Sequence, residues 1–337
     1  MPEIDVVRRG RCRSNPRPSN RTQEKLMARF NWALKNPHID FVGQRWIAFS
    51  IDGLLLIAAL LSLWFHGLNL GIDFTGGVVI EASSSKVIDL THLREQLHKL
   101  DFGEVAVQNF GTNKDVLIRV QPSSKTLGQE QEVANKIKAE LGPDYKLARI
   151  EAVGPKVSSE LFQSGVLAAI LAVLMIAVYV GFRFEWQFGV SALLSNGHDV
   201  LMAVGLYSIL QLDFNLTSIA ALLMLAGYSI NETVIVFDRI RENRRKFKRM
   251  ELGELINMST NQTLARTVKT STTVALSLIP LAIFGGEALF GFAITMLWGI
   301  VSGTYSSIFV ASSLLLYMPP IKMGQTTKAE GTKGAVV

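Results

Sequence analysis

Residues 216–237 read LTSIAALLMLAGYSINETVIVF, an apolar run of membrane-crossing length broken near its end by Asn231-Glu232-Thr233. About 20 helical residues cross a hydrocarbon core. A charge inside one costs roughly 2.5–3.5 kcal/mol on insertion scales, so it is kept with a partner or for a task. Glu232 lies about six residues, roughly 9 Å, from Asp238 at the end of the run, deep for so short a side chain to reach water. Tyr228, four residues earlier, shares its face, so a polar stripe crosses an oily helix. The next apolar run opens beside Arg266, a counter-charge that could stabilise ionised Glu232 and be released when the carboxylate takes up a proton. The plainer alternative is a static ion pair that fixes helix register.

Working outward, five further segments are long and apolar enough to cross a membrane, giving spans near 46–65, 161–182, 188–210, 216–237, 267–286 and 290–317. With 49% hydrophobic and only 18% charged residues among 337, a purely soluble protein is excluded. The first span follows 45 other residues and has no small-residue cleavage site, so it reads as an anchor and not a removable signal. The single cysteine, Cys12, excludes an internal disulfide and a thiolate cluster.

The net charge of +6 is concentrated beside the membrane segments. Residues 1–45 hold ten Lys/Arg against four acids and 238–265 hold seven against four, whereas 66–155 hold ten against twelve. The positive-inside rule then places both termini, the 238–266 loop and the 318–337 tail in the cytoplasm, with 66–155 as an external domain. The Arg-rich residues before Leu26 read as an unfolded segment suited to anionic lipid.

Inside 66–155, Val78-Val79-Ile80-Glu81-Ala82 has strand composition and Asp89 caps an amphipathic stretch to Leu100. Val105–Phe110 and Val116–Val120 alternate around a three- to four-residue loop at Gly111-Thr112-Asn113, residues 128–141 are helix-like, and Tyr145–Val153 closes the domain. That order is the βαββαβ plan of α+β ferredoxin-like domains. Gly71-Ile72-Asp73-Phe74-Thr75-Gly76-Gly77 is its most distinctive patch, with paired glycines for tight backbone and Asp73 able to accept amides. It is expected to act as a rigid joint between the first span and the sheet.

His198-Asp199 falls eleven residues past Gln187, roughly 16 Å into the third span. Adjacent helical positions point about 100° apart, so the two face different neighbours; a proton relay and a hydrogen-bonded packing pair are equally open. Asp52 in the first span is expected to face neighbouring protein or the nearby surface. Spans two and six, rich in Gly, Ala and Ser, read as packing helices. Asp238-Arg239-Ile240-Arg241-Glu242-Asn243-Arg244-Arg245 reads as a charged helix lying on the membrane face that fixes topology. Asn231, Asn215 and Asn261 sit in glycosylation sequons that read as chance matches. Gly227-Tyr228-Ser229 lacks the second glycine of a nucleophile elbow, and His and Cys show no metal spacing, so neither an enzyme nor a cofactor is expected.

Taken together, Gly71–Gly77, Val180-Gly181-Phe182-Arg183-Phe184-Glu185-Trp186, His198-Asp199-Val200, Gly227–Val234, Phe237–Asn243, Thr263-Leu264-Ala265-Arg266-Thr267 and Phe284-Gly285-Gly286 closely resemble the SecF family, over residues 26–318. The resemblance implies a bacterial inner-membrane subunit of Sec protein export, built like half of a resistance-nodulation-division transporter. Implied partners are SecD, the SecYEG channel, YajC and the translocating preprotein. Such proteins are understood to apply the proton-motive force after the SecA ATPase has begun translocation. The family's acidic proton site falls on Glu232, in the motif with Asn231, and its arginine on Arg266. Asp238, Arg239 and Arg241 match the family's cytoplasmic motif. Glutamate replaces the usual aspartate at 232, and Asn215 stands where aspartate is common. The extension before Leu26 lies outside the likeness, and Met27 is an alternative start. Rival readings are a proton-driven exporter of lipids or small molecules and a scaffold of the translocase.

Overall fold

The computed structural model describes residues 38–110, 112–122 and 129–319; Cys12, the basic arm, Met27, Gly111 and the tail from 320 lie outside the described residues. Helix α1 (Arg45–Phe65) is followed by a two-residue strand β1 (Asn69–Leu70) and a single helical turn α2 (Ile72–Thr75). Next come β2 (Gly77–Ser84), α3 (Leu90–His98), β3 (Gly103–Phe110), β4 (Thr112–Pro122), α4 (Glu130–Leu141) and β5 (Tyr145–Val153). Helices α5 (Pro155–Arg183) and α6 (Trp186–Leu210), strand β6 (Asp213–Phe214), and helices α7 (Leu216–Lys246), α8 (Leu252–Phe284) and α9 (Gly286–Ser306) complete the chain. The last helix continues through a π-turn at Ser307–Ala311 to Tyr317.

Among the described residues, six helices are long and apolar enough to cross a membrane: α1, α5 to α8, and the last from Leu289 to Tyr317. Three of them, α5, α7 and α8, run well past one end of the expected apolar spans. The segment 238–266 is not a loop with a helix lying on the membrane face: α7 runs unbroken to Lys246 and α8 begins at Leu252. At 1.5 Å per residue, 31 residues reach about 46 Å, well beyond a hydrocarbon core of about 30 Å. Hydropathy marks only the oily part of such a helix; the polar extensions persist because they bond to each other, as Asn243 does to Ser259 at 2.9 Å and Gln262 at 2.8 Å. Likewise α5 starts at Pro155, a proline in the first helical turn, where its missing N–H costs nothing.

The external unit is a four-stranded sheet in the order β3-β4-β2-β5, with every neighbouring pair antiparallel. Val78, Ile80, Val107, Val116, Ile118 and Val120 point to one face, against Leu93 and Leu97 of α3 and Val133, Ala134 and Ile137 of α4. Asp89 caps α3 by accepting from the amides of Thr91 at 2.9 Å and His92 at 3.2 Å. The hairpin is tighter than expected: Phe110 pairs with Thr112, which already belongs to β4. The opposite face of the sheet, with Val79, Glu81, Leu117, Arg119, Arg149 and Glu151, looks onto a cleft of about 400 Å³ above the helix ends.

The glycine motif does more than join α1 to the sheet. Gly71 N–H donates to Phe214 O at 2.8 Å, Asp73 accepts the Leu216 amide at 3.0 Å, and the Phe74 ring sits between Phe162 and Phe214. Strand β1 pairs in parallel with β6, so the joint docks on the N-terminus of α7. Gly76 and Gly77 have φ of 74° and 122°, conformations closed to most side chains. Asn215 supplies a reciprocal capping box with Ser218, so a neutral residue is sufficient at that corner.

Candidate functional site

The site is built where α6, α7, α8 and the last helix meet. Glu232 on α7 is 0% exposed, and neither carboxylate oxygen has a hydrogen-bond partner. Beside it is Thr267 of α8, whose buried hydroxyl acts on the Glu232 carboxyl as a weak donor without closing a hydrogen bond of 3.5 Å or less. The Arg266 guanidinium is near enough to act on Glu232 electrostatically, yet no ion pair within 4 Å joins them, and Arg266 is exposed. Adjacent positions on α8 point about 100° apart, so a helix that turns Thr267 inward turns Arg266 out. Asn231 is exposed for the same reason on α7. Of the residues expected to form one relay, the core therefore holds Glu232 and leaves Asn231 and Arg266 at the surface. A static Glu232–Arg266 pair is absent.

One turn before Glu232, Ser229 starts a second, satisfied cluster. Asp199 of α6, also 0% exposed, accepts from Ser229 Oγ at 2.5 Å and Ser306 Oγ at 2.7 Å, and lies 3.3 Å from His198 Nδ1. His198 Nε2 faces Asp52 of α1 at 3.8 Å. His198 and Asp199 thus contact each other and, as their spacing predicted, look at different helices. Around them, Thr233 bonds Ser307 at 2.9 Å, Tyr228 bonds Ser271 at 2.9 Å, and Ser271 bonds Thr304 at 2.7 Å. The π-turn follows directly after Ser306; such turns recur at functional sites.

Sequence reasoning missed the partner of Asp52 and the hydroxyls of Ser229, Thr267, Ser306 and Ser307. The last span read as a packing helix, but its Ser302, Ser306, Ser307 and Ser313 are all buried. A run of buried serines beside an intramembrane acid was the available signal.

At the far end of α7, Asp238 pairs with Arg183 at 2.6 Å and Arg241 donates to Arg183 O at 3.2 Å. Arg239 reaches Glu242 and Gln262, each at 2.6 Å, and Arg244 pairs with Glu185 at 2.7 Å. Guanidinium groups of Arg183 and Arg241 lie over the Phe184 ring at 5.1 and 5.3 Å. These residues staple α7 to the α5–α6 corner and to α8. At the near end, Arg119 pairs with Asp213, which also accepts from Asn69 at 2.8 Å, tying the sheet to β1 and β6.

Six spanning helices around a core of acids and hydroxyls, with an α/β unit inserted after the first, define a multi-pass membrane protein with a polar interior. Residues 133–320 match the family model for the protein export membrane protein SecD/SecF, C-terminal, and residues 61–86 match the SecD/SecF GG motif. The chain is 42% identical over 280 residues to the protein translocase subunit SecF of Pseudomonas aeruginosa, covering 83% of this chain and 91% of that one. It is 43% identical over 292 residues to SecF of Magnetococcus marinus, with coverage of 85% and 94%. The crystal structure of SecDF, a translocon-associated membrane protein from Thermus, superposes with a TM-score of 0.75 at 35% identity, covering 88% of this chain. The chain spans 41% of that longer protein. The chain belongs to the SecD/SecF family of protein export membrane proteins, and its function is that of the SecF subunit of the Sec translocase.

Proposed function

We propose that this subunit couples the proton-motive force to preprotein translocation, with Glu232 as the proton-carrying group. The observation that carries this reading is the fully buried carboxyl of Glu232 without a hydrogen-bond partner. Buried polar side chains are nearly always satisfied, so a buried carboxyl with neither oxygen bonded calls for an explanation, and a working role is one. Arg266, exposed and one position from Thr267, supplies a counter-charge that approaches or withdraws as the helices shift. One charge crossing 100 mV is worth about 2.3 kcal/mol, enough for repeated cycles to bias the diffusion of a chain.

In this reading 66–155 is periplasmic and both termini are cytoplasmic. Supporting it, the α/β unit sits at the end of the bundle opposite the arginine-rich staple. The unit is a ferredoxin-like module: taking β2, β3, β4 and β5 as its four strands, the observed order follows the split βαβ plan. It works as a moving handle, joined to α7 through Asp73. SecD supplies the other half of the transporter, and SecYEG, YajC and the preprotein are the assembly partners. The subunit works without a cofactor and without catalysing a covalent reaction.

The test is proton flux into liposomes holding the SecD–SecF complex and a pH-sensitive dye. Glu232→Gln should lose most of the flux, and Glu232→Asp should keep a measurable part. Flux unchanged by Glu232→Gln would remove the proposal.

A further inference from the structure

Asp52 is the buried acid that this reading leaves without work. It lies about a third of the way along α1, in a run without other charges, is 8% exposed, and has one carboxylate oxygen with no hydrogen-bond partner. Its other oxygen faces His198 Nε2 at 3.8 Å, a nitrogen that is itself buried and unpartnered.

The contact belongs to a continuous seam. Helices α1 and α6 run parallel and meet at three points in the same register, the partners being 146 residues apart each time: Asp52 with His198, Ala59 with Gly205, and Ser62 with Ser208 at 2.9 Å. At the middle point the backbones approach so closely that a side chain at Gly205 would collide with Ala59. Small residues allow this approach between membrane helices, and polar pairs lock it. Beyond the seam, α1 passes through Gly67 into β1, the strand that ties the external unit to β6.

We propose that His198, held between Asp52 and Asp199, is a second proton-binding site of the membrane sector, and that Asp52 is the positioning residue that ties its charge to the packing of α1. The proposal rests on the proton-coupling reading above and adds a group and a helix to it. His198 is faced by Asp52 from α1 and by Asp199 on its own helix; Ser229 of α7 and Ser306 of the last helix bond to Asp199, and Tyr305 of the last helix lies near Asp52. Tyr305 donates to Ala48 O at 3.1 Å, one turn from Asp52. Glu232 sits one turn along α7 from Ser229, the residue whose hydroxyl bonds Asp199. Imidazole is the side chain whose ordinary titration falls between about pH 5 and 8. Protonated His198 draws Asp52, and with it α1, onto α6; neutral His198 releases the hold. The proton at Nε2 is exchanged on the α1 side, while Nδ1 stays against Asp199.

The experiment measures gradient-driven preprotein translocation in membranes holding the full SecD–SecF complex, at constant gradient, while the pH on both sides is stepped between about 5.5 and 8. Rates are expressed per assembled complex. In the native protein the rate should change at least about threefold across that range. Asp52→Asn and His198→Gln should each flatten the profile, and Asp52→Glu should restore it. An unchanged profile in both neutral variants, even at reduced abundance, overturns the inference, because a purely structural pair would lower the amount of complex and leave the profile alone. Glu232→Gln is run in parallel. If it abolishes stimulation while the other two keep the native profile, proton coupling stands and this inference alone falls. If it leaves stimulation intact, the proton-coupling reading fails, and the inference that rests on it fails too.

Discussion

The external unit and the membrane bundle bury opposite chemistry. Between its sheet and helices the unit packs Val, Ile and Leu side chains, whereas the centre of the bundle holds Asp199, Glu232 and at least eight serine and threonine hydroxyls. Solvent accounts for the difference. In water, removing hydrocarbon from contact with solvent drives folding. In lipid that drive between helices is gone, and close approach and hydrogen bonds hold a bundle together. A polar group in the bundle is therefore not functional by its presence alone. Asp199, satisfied by two hydroxyls and a histidine, is accounted for as glue, whereas Glu232, with no hydrogen bond of 3.5 Å or less, has no such structural account.

The comparison can be broken at either side. Ile118→Ala, at a fully buried position of β4, should cost about 2–5 kcal/mol and loosen the external unit alone. Limited proteolysis of the full-length protein would then cut between β2 and β5 and leave the helical fragments intact; equal resistance to the native chain would show that the unit does not depend on its apolar core. Asp199→Ala should destabilise the bundle by about 1–3 kcal/mol through stranded hydroxyls. Thermal unfolding of the purified complex would read this as a lower midpoint. Gly76→Ala, at φ 74° and with Val153 O only 3.3 Å from the new Cβ, should cost roughly 1–2 kcal/mol and weaken the joint that connects the two regions.

The smallest effect is at the charged end of α7. The Lys246 ammonium and then the Arg239 guanidinium hold the exposed Glu242 carboxyl below its usual range. Its contribution is present above the unfolded value of about 4.3 and is lost as pH falls through the lower folded value. Glu242→Gln should lower stability slightly at neutral pH, leave it unchanged in acid, and so flatten a small part of its acid dependence, read as thermal midpoints across pH.

Much of this architecture was legible in the sequence. Apolar length located the six spans, and alternation located the strands of the external unit, because both signals are local. What escaped depended on which helix meets which. The polar ends of α7 and α8 read as loop because hydropathy cannot register Asn243 bonding Ser259. Glu232 was visible as a charge in an oily run. The outward turn of Arg266 and Asn231 follows from helical phase relative to neighbours that the sequence does not specify. Asp52 acquires meaning only from the parallel register of α1 and α6, fixed by contacts 146 residues apart. Serines 306 and 307 were hidden by their abundance, since small residues also serve plain packing in membranes.

In the proposed coupling, Glu232 is the group through which the proton gradient acts on the translocating chain. The most direct measurement is translocation of a labelled preprotein into membranes carrying Glu232→Gln at normal SecD–SecF abundance, with and without an imposed proton gradient. The gradient-stimulated portion should disappear while ATP-driven initiation stays intact. Full stimulation in that variant would contradict it and leave Glu232 a structural residue of a scaffold.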